Sequence, residues 1–166
     1  MPFEPRAQIE VAVQVDAFDV CAMTCRLGML GGGAVSTFVG HVRADGEDFE
    51  ALELQAYPAM AERALLEIAQ SAADRWDLLG VTLMHRYGRL SAAEPIVFAG
   101  AASLHRAASL EACAFLIDWT KTAAPFWKRT WKTDGSHDWV EAREQDEVAA
   151  LAWNDASTRP GAVAQA

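Results

Sequence analysis

Apolar and polar residues alternate near the start of the chain. Ile9, Val11, Val13 and Val15 fall on one face, Glu10, Gln14 and Asp16 among them on the other. A period of two predicts a half-buried strand. Asp19 is placed to cap a short helix running to about Met29. Gly31-Gly32-Gly33 ends it and opens a strand, AVSTFVGHVRA. Asp45-Gly46, inside the polar stretch ADGEDFE, predicts a turn, and a second strand, ALELQAY, returns from it. Pro58 begins a long helix at the position where proline is tolerated. Met60, Ala64, Leu65, Ile68 and Ala72 form its expected inward stripe. Strands follow at about 81–87, ended by Gly88, and at about 95–104. A helix then covers roughly 106–122 and is closed by Pro125. FWKRTWK reads as a strand, and Asp134-Gly135 turns the chain into a last short strand, HDWVEA. The irregular alternation of strands and helices predicts an α+β fold rather than a doubly wound sheet. With no repeat and no linker, a single domain is expected over 1–153. The small, polar tail at 154–166 is expected to be disordered.

Bulk properties narrow the field. The chain has 166 residues, enough to bury a core as one domain. No apolar run approaches the ~20 residues that span a bilayer. MPFEPRAQIE lacks the layout of a signal peptide, so a cytoplasmic protein is expected and a membrane one is not. The net charge of -9 argues against nucleic acid as a partner. Cys21 and Cys25 are spaced to share a helix face, but no further metal ligand lies nearby in the sequence. All three cysteines, Cys113 included, are expected to be reduced, and Cys21 and Cys25 to be small buried residues.

Charge placement changes the picture. All three lysines, Lys121, Lys128 and Lys132, fall within twelve residues, while outside that window positive charge comes from arginine alone, ten of the chain's eleven. Arginine stays charged at any workable pH, whereas a partly desolvated lysine can lose its proton. The segment around them, WTKTAAPFWKRTWKT, holds no acid. Leu110, Ala114, Ile117 and Lys121 share one helix face, so Lys121 either snorkels from the helix end or faces a pocket. In a strand over FWKRTWK, Lys128 and Thr130 point one way, and Trp127, Arg129 and Trp131 the other. Charge protecting a strand edge and a second amine presented beside the first both fit that pattern. Ser103-Leu104-His105-Arg106 lies at a strand-to-helix junction, where backbone N–H groups with an imidazole and a guanidinium suit an anion. Arg43, in Gly40-His41-Val42-Arg43, is placed either to reach a phosphate or simply to end a strand. No nucleophilic triad, Walker loop, dinucleotide fingerprint or zinc spacing is present.

GAVSTFVGHVR, YPAMAERAL, HRYGRL, SLHRAASLEA and above all LIDWTKTAAPFWKRTW with DWVEAR resemble the large, catalytic subunit of molybdopterin synthase, in order and with similar spacing from about Ile9 to Arg143. The resemblance implies an α/β-hammerhead-type domain with an added antiparallel β subdomain. It implies a sulfurtransferase that needs no cofactor of its own and converts cyclic pyranopterin monophosphate to the dithiolene of molybdopterin. Sulfur then arrives as a C-terminal thiocarboxylate, after Gly-Gly, on a small ubiquitin-like subunit. The assembly implied is a homodimer within a heterotetramer. Residue by residue, the resemblance makes Lys121 and Lys128 catalytic. It puts His41, Val42, Arg43, His105, Arg106, Arg129, Thr130 and Arg143 around the substrate. Position 41 is His where related sequences often carry lysine, which would make any charge role there pH-dependent. Lys132 matches no family motif.

His105 and Lys121 bracket about sixteen residues of helix, or ~24 Å. One small pterin does not touch both ends, so either the helix breaks or one of the two residues comes from another protomer, the second giving a pocket shared between two protomers. Two other readings stand beside the enzyme: a non-catalytic homodimeric scaffold that binds a ubiquitin-like tail, and a module that binds a phosphate ligand.

Overall fold

A computed structural model describes residues 7–141 and 143–154. The first of its two four-stranded sheets has the order β1-β4-β6-β2. β1 (Gln8–Gln14) runs parallel to β4 (Gly80–Arg86). β6 (Pro95–Ser103) is antiparallel to both β4 and β2 (Ala34–His41). Every residue of β4 is buried, so both sheet faces need cover. On one face α2 (Pro58–Trp76) and α3 (Arg106–Ala123) pack Leu65, Trp76 and Leu116 against Val81, Leu83 and Ala99. On the other, α1 (Val20–Gly28) lays Met23 and Leu27 against Met84 and Phe98. Asp19 caps α1 by accepting the Ala22 N–H at 2.9 Å. Gly100 makes room for it, since a Cβ there would stand 2.5 Å from Leu27 Cδ1.

The second sheet has the order β5-β3-β7-β8 and is antiparallel throughout. Its strands are β3 (Phe49–Ala56), β5 (Gly88–Leu90), β7 (Phe126–Lys132) and β8 (His137–Val140). At φ 92°, Gly88 turns the chain from β4 into this sheet, a conformation that suits glycine. A small core of Val42, Leu54 and Leu90 lies under it.

The α+β class and the added antiparallel sheet agree with the sequence reading. Several details do not. β3 leaves the Asp45-Gly46 turn but joins the second sheet rather than pairing with β2, whose partner is β6. The buried stripe of α2 is Ala61, Leu65, Ile68, Ala69, Ala72, Ala73 and Trp76, while Met60 is exposed. On α3, Leu110 and Ala114 are exposed, and Ala112, Cys113, Phe115, Leu116 and Thr120 face the core with Ile117. Cys21 and Cys25 are exposed, because α1 turns Met23 and Leu27 inward instead; Cys113 is buried.

The sequence reading also lacked α4 (Glu144–Ala152). Aromatic contacts tie it down. Trp153 donates its Nε1–H to Asp118 Oδ2 at 2.8 Å and accepts from Arg75 Nη1 at 2.7 Å. The Arg75 guanidinium lies over the rings of Trp76, Phe115 and Trp153. Among the described residues, no helix is long and apolar enough to cross a membrane. Apart from Asn154, the tail at 154–166 lies outside the described residues.

Candidate active site

β7 runs beneath the end of α3, and its alternation sorts its side chains onto two faces. Phe126, Lys128 and Thr130 line a cavity of about 530 Å³ between the sheets. The last turn of α3 contributes Ile117, Thr120 and Lys121, and the end of β2 contributes His41 and Arg43. Val140, at the end of β8, and Arg143, just before α4, close another wall. A cleft of about 260 Å³ opens on the same lysines and adds the carboxylates of Glu141, Asp146 and Glu147.

The two amines sit in different environments. Lys121 is half-exposed and pairs with Asp146 at 3.5 Å. Lys128 is held below the usual lysine range, chiefly by burial and then by the charges of Lys121 and Arg143, against the pull of Asp146. Two ammonium groups sharing one pocket repel, and burial favours the neutral form. Lys128 therefore gives up its proton more readily than an ordinary lysine.

On the opposite face of β7, Glu53 fastens Arg129 and Trp131. Arg129 donates through Nε and Nη2 at 2.9 Å each, and Trp131 donates its indole N–H. The Arg129 hydrogen bond leads in holding the Glu53 carboxyl down to about 2. Arg129 thus braces the strand that carries Lys128 and does not line the cavity, as strand alternation predicts, although the resemblance puts it around the substrate. Val42 does not line it either. Its side chain is buried against Leu54 and Leu90, and its N–H and C=O bond to Glu94 and Ala93 at 2.8 Å each. His105 and Arg106 stand at the start of α3, some sixteen residues from Lys121 near its other end, about 24 Å at helical rise. One copy of the chain does not bring them to the cavity. Lys132 pairs with Asp138 at 2.9 Å and Asp48 at 4.0 Å, a clamp between strands.

Three residues of the site were absent from the candidates. His85 and Phe126 line the cavity as a stacked pair, and Asp146 faces Lys121. HRYGRL and APFWK contain the first two, but only the fold puts them face to face. Among the described residues, no three His, Cys, Asp or Glu side chains converge as a metal site would need.

The fold and site together define a class: an α+β protein with a cavity between two sheets onto which two lysines and two arginines open. The chain belongs to the MoaE family, whose model, described as "MoaE protein", matches residues 13–123. It is 45% identical over 150 residues to the molybdopterin synthase catalytic subunit of Mesorhizobium japonicum, covering 89% of this chain and 94% of that one. It is 49% identical over 123 residues to the Escherichia coli molybdopterin synthase catalytic subunit, covering 73% and 81% respectively. A solved structure of molybdopterin cofactor biosynthesis protein E from Burkholderia multivorans superposes with a TM-score of 0.75 at 39% identity, over 89% of this chain and 98% of that one.

Proposed function

We infer that this chain is the catalytic, sulfur-transferring subunit of a molybdopterin synthase. The observation that carries this reading is the meeting of Lys121, from α3, and Lys128, from β7, in one cavity with Arg43 and Arg143. The substrate is cyclic pyranopterin monophosphate, an anion that the two guanidinium groups suit. The partner is a small ubiquitin-like subunit whose C-terminal thiocarboxylate supplies the sulfur. The cleft beside Lys121 and Asp146 suits a narrow tail.

Sulfur transfer needs the thiocarboxylate carbonyl polarised and protons moved as carbon–oxygen bonds of the pterin side chain break. Lys121 stabilises the negative charge that develops on the acyl oxygen. Lys128, whose proton is loosely held, exchanges it with the reacting groups. Thr130 and His41 line the wall between them and Arg43. No cysteine of this chain carries the sulfur, which comes from outside.

His105 and Arg106 belong to the site if a second protomer donates them across a two-fold axis. Mixed dimers of an Arg106→Ala protomer with a Lys121→Ala protomer then regain activity in the one pocket free of both changes. No recovery in verified heterodimers rejects the shared pocket.

The reading as a whole is tested by incubating the purified chain with a thiocarboxylated small subunit and the cyclic precursor. A dithiolene product is expected. Binding of the small subunit without product would favour the non-catalytic scaffold.

A further inference from the structure

The sulfur-transfer scheme gives no task to His85, a titratable side chain that lines the cavity. His85 lies one residue from the end of β4, on the strand face it shares with Val81 and Leu83. Its ring lies on that of Phe126, with centroids 3.8 Å apart and planes inclined by 18°. Both rings line the cavity that Lys128 and Arg143 also line.

The protonation of His85 follows from its neighbours. Nδ1 stands 2.8 Å from the carbonyl oxygen of Arg86. A carbonyl only accepts, so Nδ1 carries the hydrogen, and in the neutral ring Nε2 keeps its lone pair. Burial first, with help from the Lys128 charge, holds the imidazole down to about 4, against the pull of the Arg86 carbonyl. At pH 7 the ring is neutral, so His85 is a poor proton carrier. Among the described residues, Nε2 takes no hydrogen bond from the chain. Nor is it sealed in the core: among the described residues, the buried side-chain polar atom without a partner is Trp119 Nε1.

Of the charged side chains that line the cavity with it, Arg43, Lys121, Lys128 and Arg143 only donate, and Asp45, the one carboxylate there among the described residues, is paired with Arg43 at 3.7 Å. Such a wall takes any phosphate and does not read the rest of the ligand. A neutral acceptor fixed in direction by a backbone hydrogen bond and a stacked ring does read it, because it demands an N–H on the ligand. We propose that His85 is a specificity-determining residue, whose Nε2 accepts a hydrogen bond from a ring N–H of the pterin while the cations hold the phosphate. The proposal deepens the sulfur-transfer reading and rests on it. Phe126 acts through His85 as a positioning residue.

The test compares wild type with His85→Phe, which keeps a flat ring against Phe126 and removes the acceptor. Saturation kinetics with cyclic pyranopterin monophosphate should show KM raised about tenfold, the order expected for one lost hydrogen bond that leaves a donor unpaired. Inhibition by inorganic phosphate and affinity for the small subunit should stay within about twofold of wild type, since neither involves the acceptor. An unchanged KM overturns the proposal, as does an equal loss of phosphate affinity, which would mean a collapsed pocket. If the variant does not fold, imidazole ¹⁵N spectra of the wild-type protein decide. The Nε2 signal should move when the pterin is added and stay still with inorganic phosphate; no movement with the pterin overturns the proposal. Wild type that binds the pterin, moves the Nε2 signal and makes no dithiolene would keep the recognition role and remove the sulfur-transfer reading.

Discussion

Lys128→Met replaces an ammonium with a thioether of similar reach, at a place where the fold works against charge. Burial, Lys121 and Arg143 hold the proton of Lys128 less tightly than an unfolded chain would. Below its lowered pKa, Lys128 therefore opposes folding. The penalty is relieved as pH rises from that value toward the ordinary lysine value of 10.5, because the unfolded chain then binds more protons than the folded one. Replacing buried ionic groups with well-packed apolar side chains is often neutral and at most stabilises by about 1–4 kcal/mol. Lys128 is only partly buried, which puts it at the lower end, about 1 kcal/mol. For a chain of this size that is a rise of about 2–4 °C in Tm. Thermal unfolding followed by circular dichroism at pH 7 should show this gain, and the gap between variant and wild type should close as the pH approaches 10.5. Turnover should be lost at the same time, as expected where an active site holds a group against its preference. A variant that melts below wild type at pH 7, or a gap that does not change with pH, would refute the reasoning.

Other expectations concern the surroundings of the site. Glu53→Gln should destabilise the protein by about 1–2 kcal/mol at neutral pH, after allowance for partial exposure. Because the folded pKa is lowered from 4.5 to about 2, that difference should persist above pH 4.5 and vanish as pH falls toward 2, as acid-titrated melts will show. Asp146→Asn breaks a 3.5 Å ion pair between partly exposed groups and should change stability by less than ~1 kcal/mol. It also removes the charge that supports the Lys128 ammonium, so the Lys128 limb of the kcat/KM profile should shift to lower pH. A thiol reagent should label Cys21 and Cys25 in the native protein without loss of turnover. Cys113, buried and pushed up to about 11, should react only after unfolding.

The chemistry was most legible where a short period met an unusual residue choice. Alternation in FWKRTWK put Lys128 and Thr130 on one face, and the structure opens that face on the cavity. Arg129 and Trp131 fell on the other, and the structure gives them to Glu53, a partner no local pattern names. On α3, spacing identified a face running through Leu110 and Ala114. It did not reveal that Phe115 and Leu116 would turn a different face to the core. β5 has three residues, too few for a periodic signal. α4 buries little beyond Ala150 and is held by Trp153 against Arg75 and Asp118, contacts that are distant in sequence. His85 sat in a readable strand, but its burial and its stack on Phe126 arise only when the two sheets meet. Val42 lay between two cavity residues and was assigned with them, whereas strand alternation sends it into the core.

The account depends most on the claim that Lys121 acts on the sulfur donor rather than merely holding the partner in place. Its direct test is the reconstituted reaction with Lys121→Ala, with turnover and small-subunit affinity measured on the same preparation. Loss of a positioned acid or oxyanion partner should cut turnover by about a hundredfold or more, while the dissociation constant of the small subunit stays within about threefold, the scale of one exposed charge contact. Dithiolene formation at close to the wild-type rate, or a loss of turnover matched by an equal loss of binding, would contradict it.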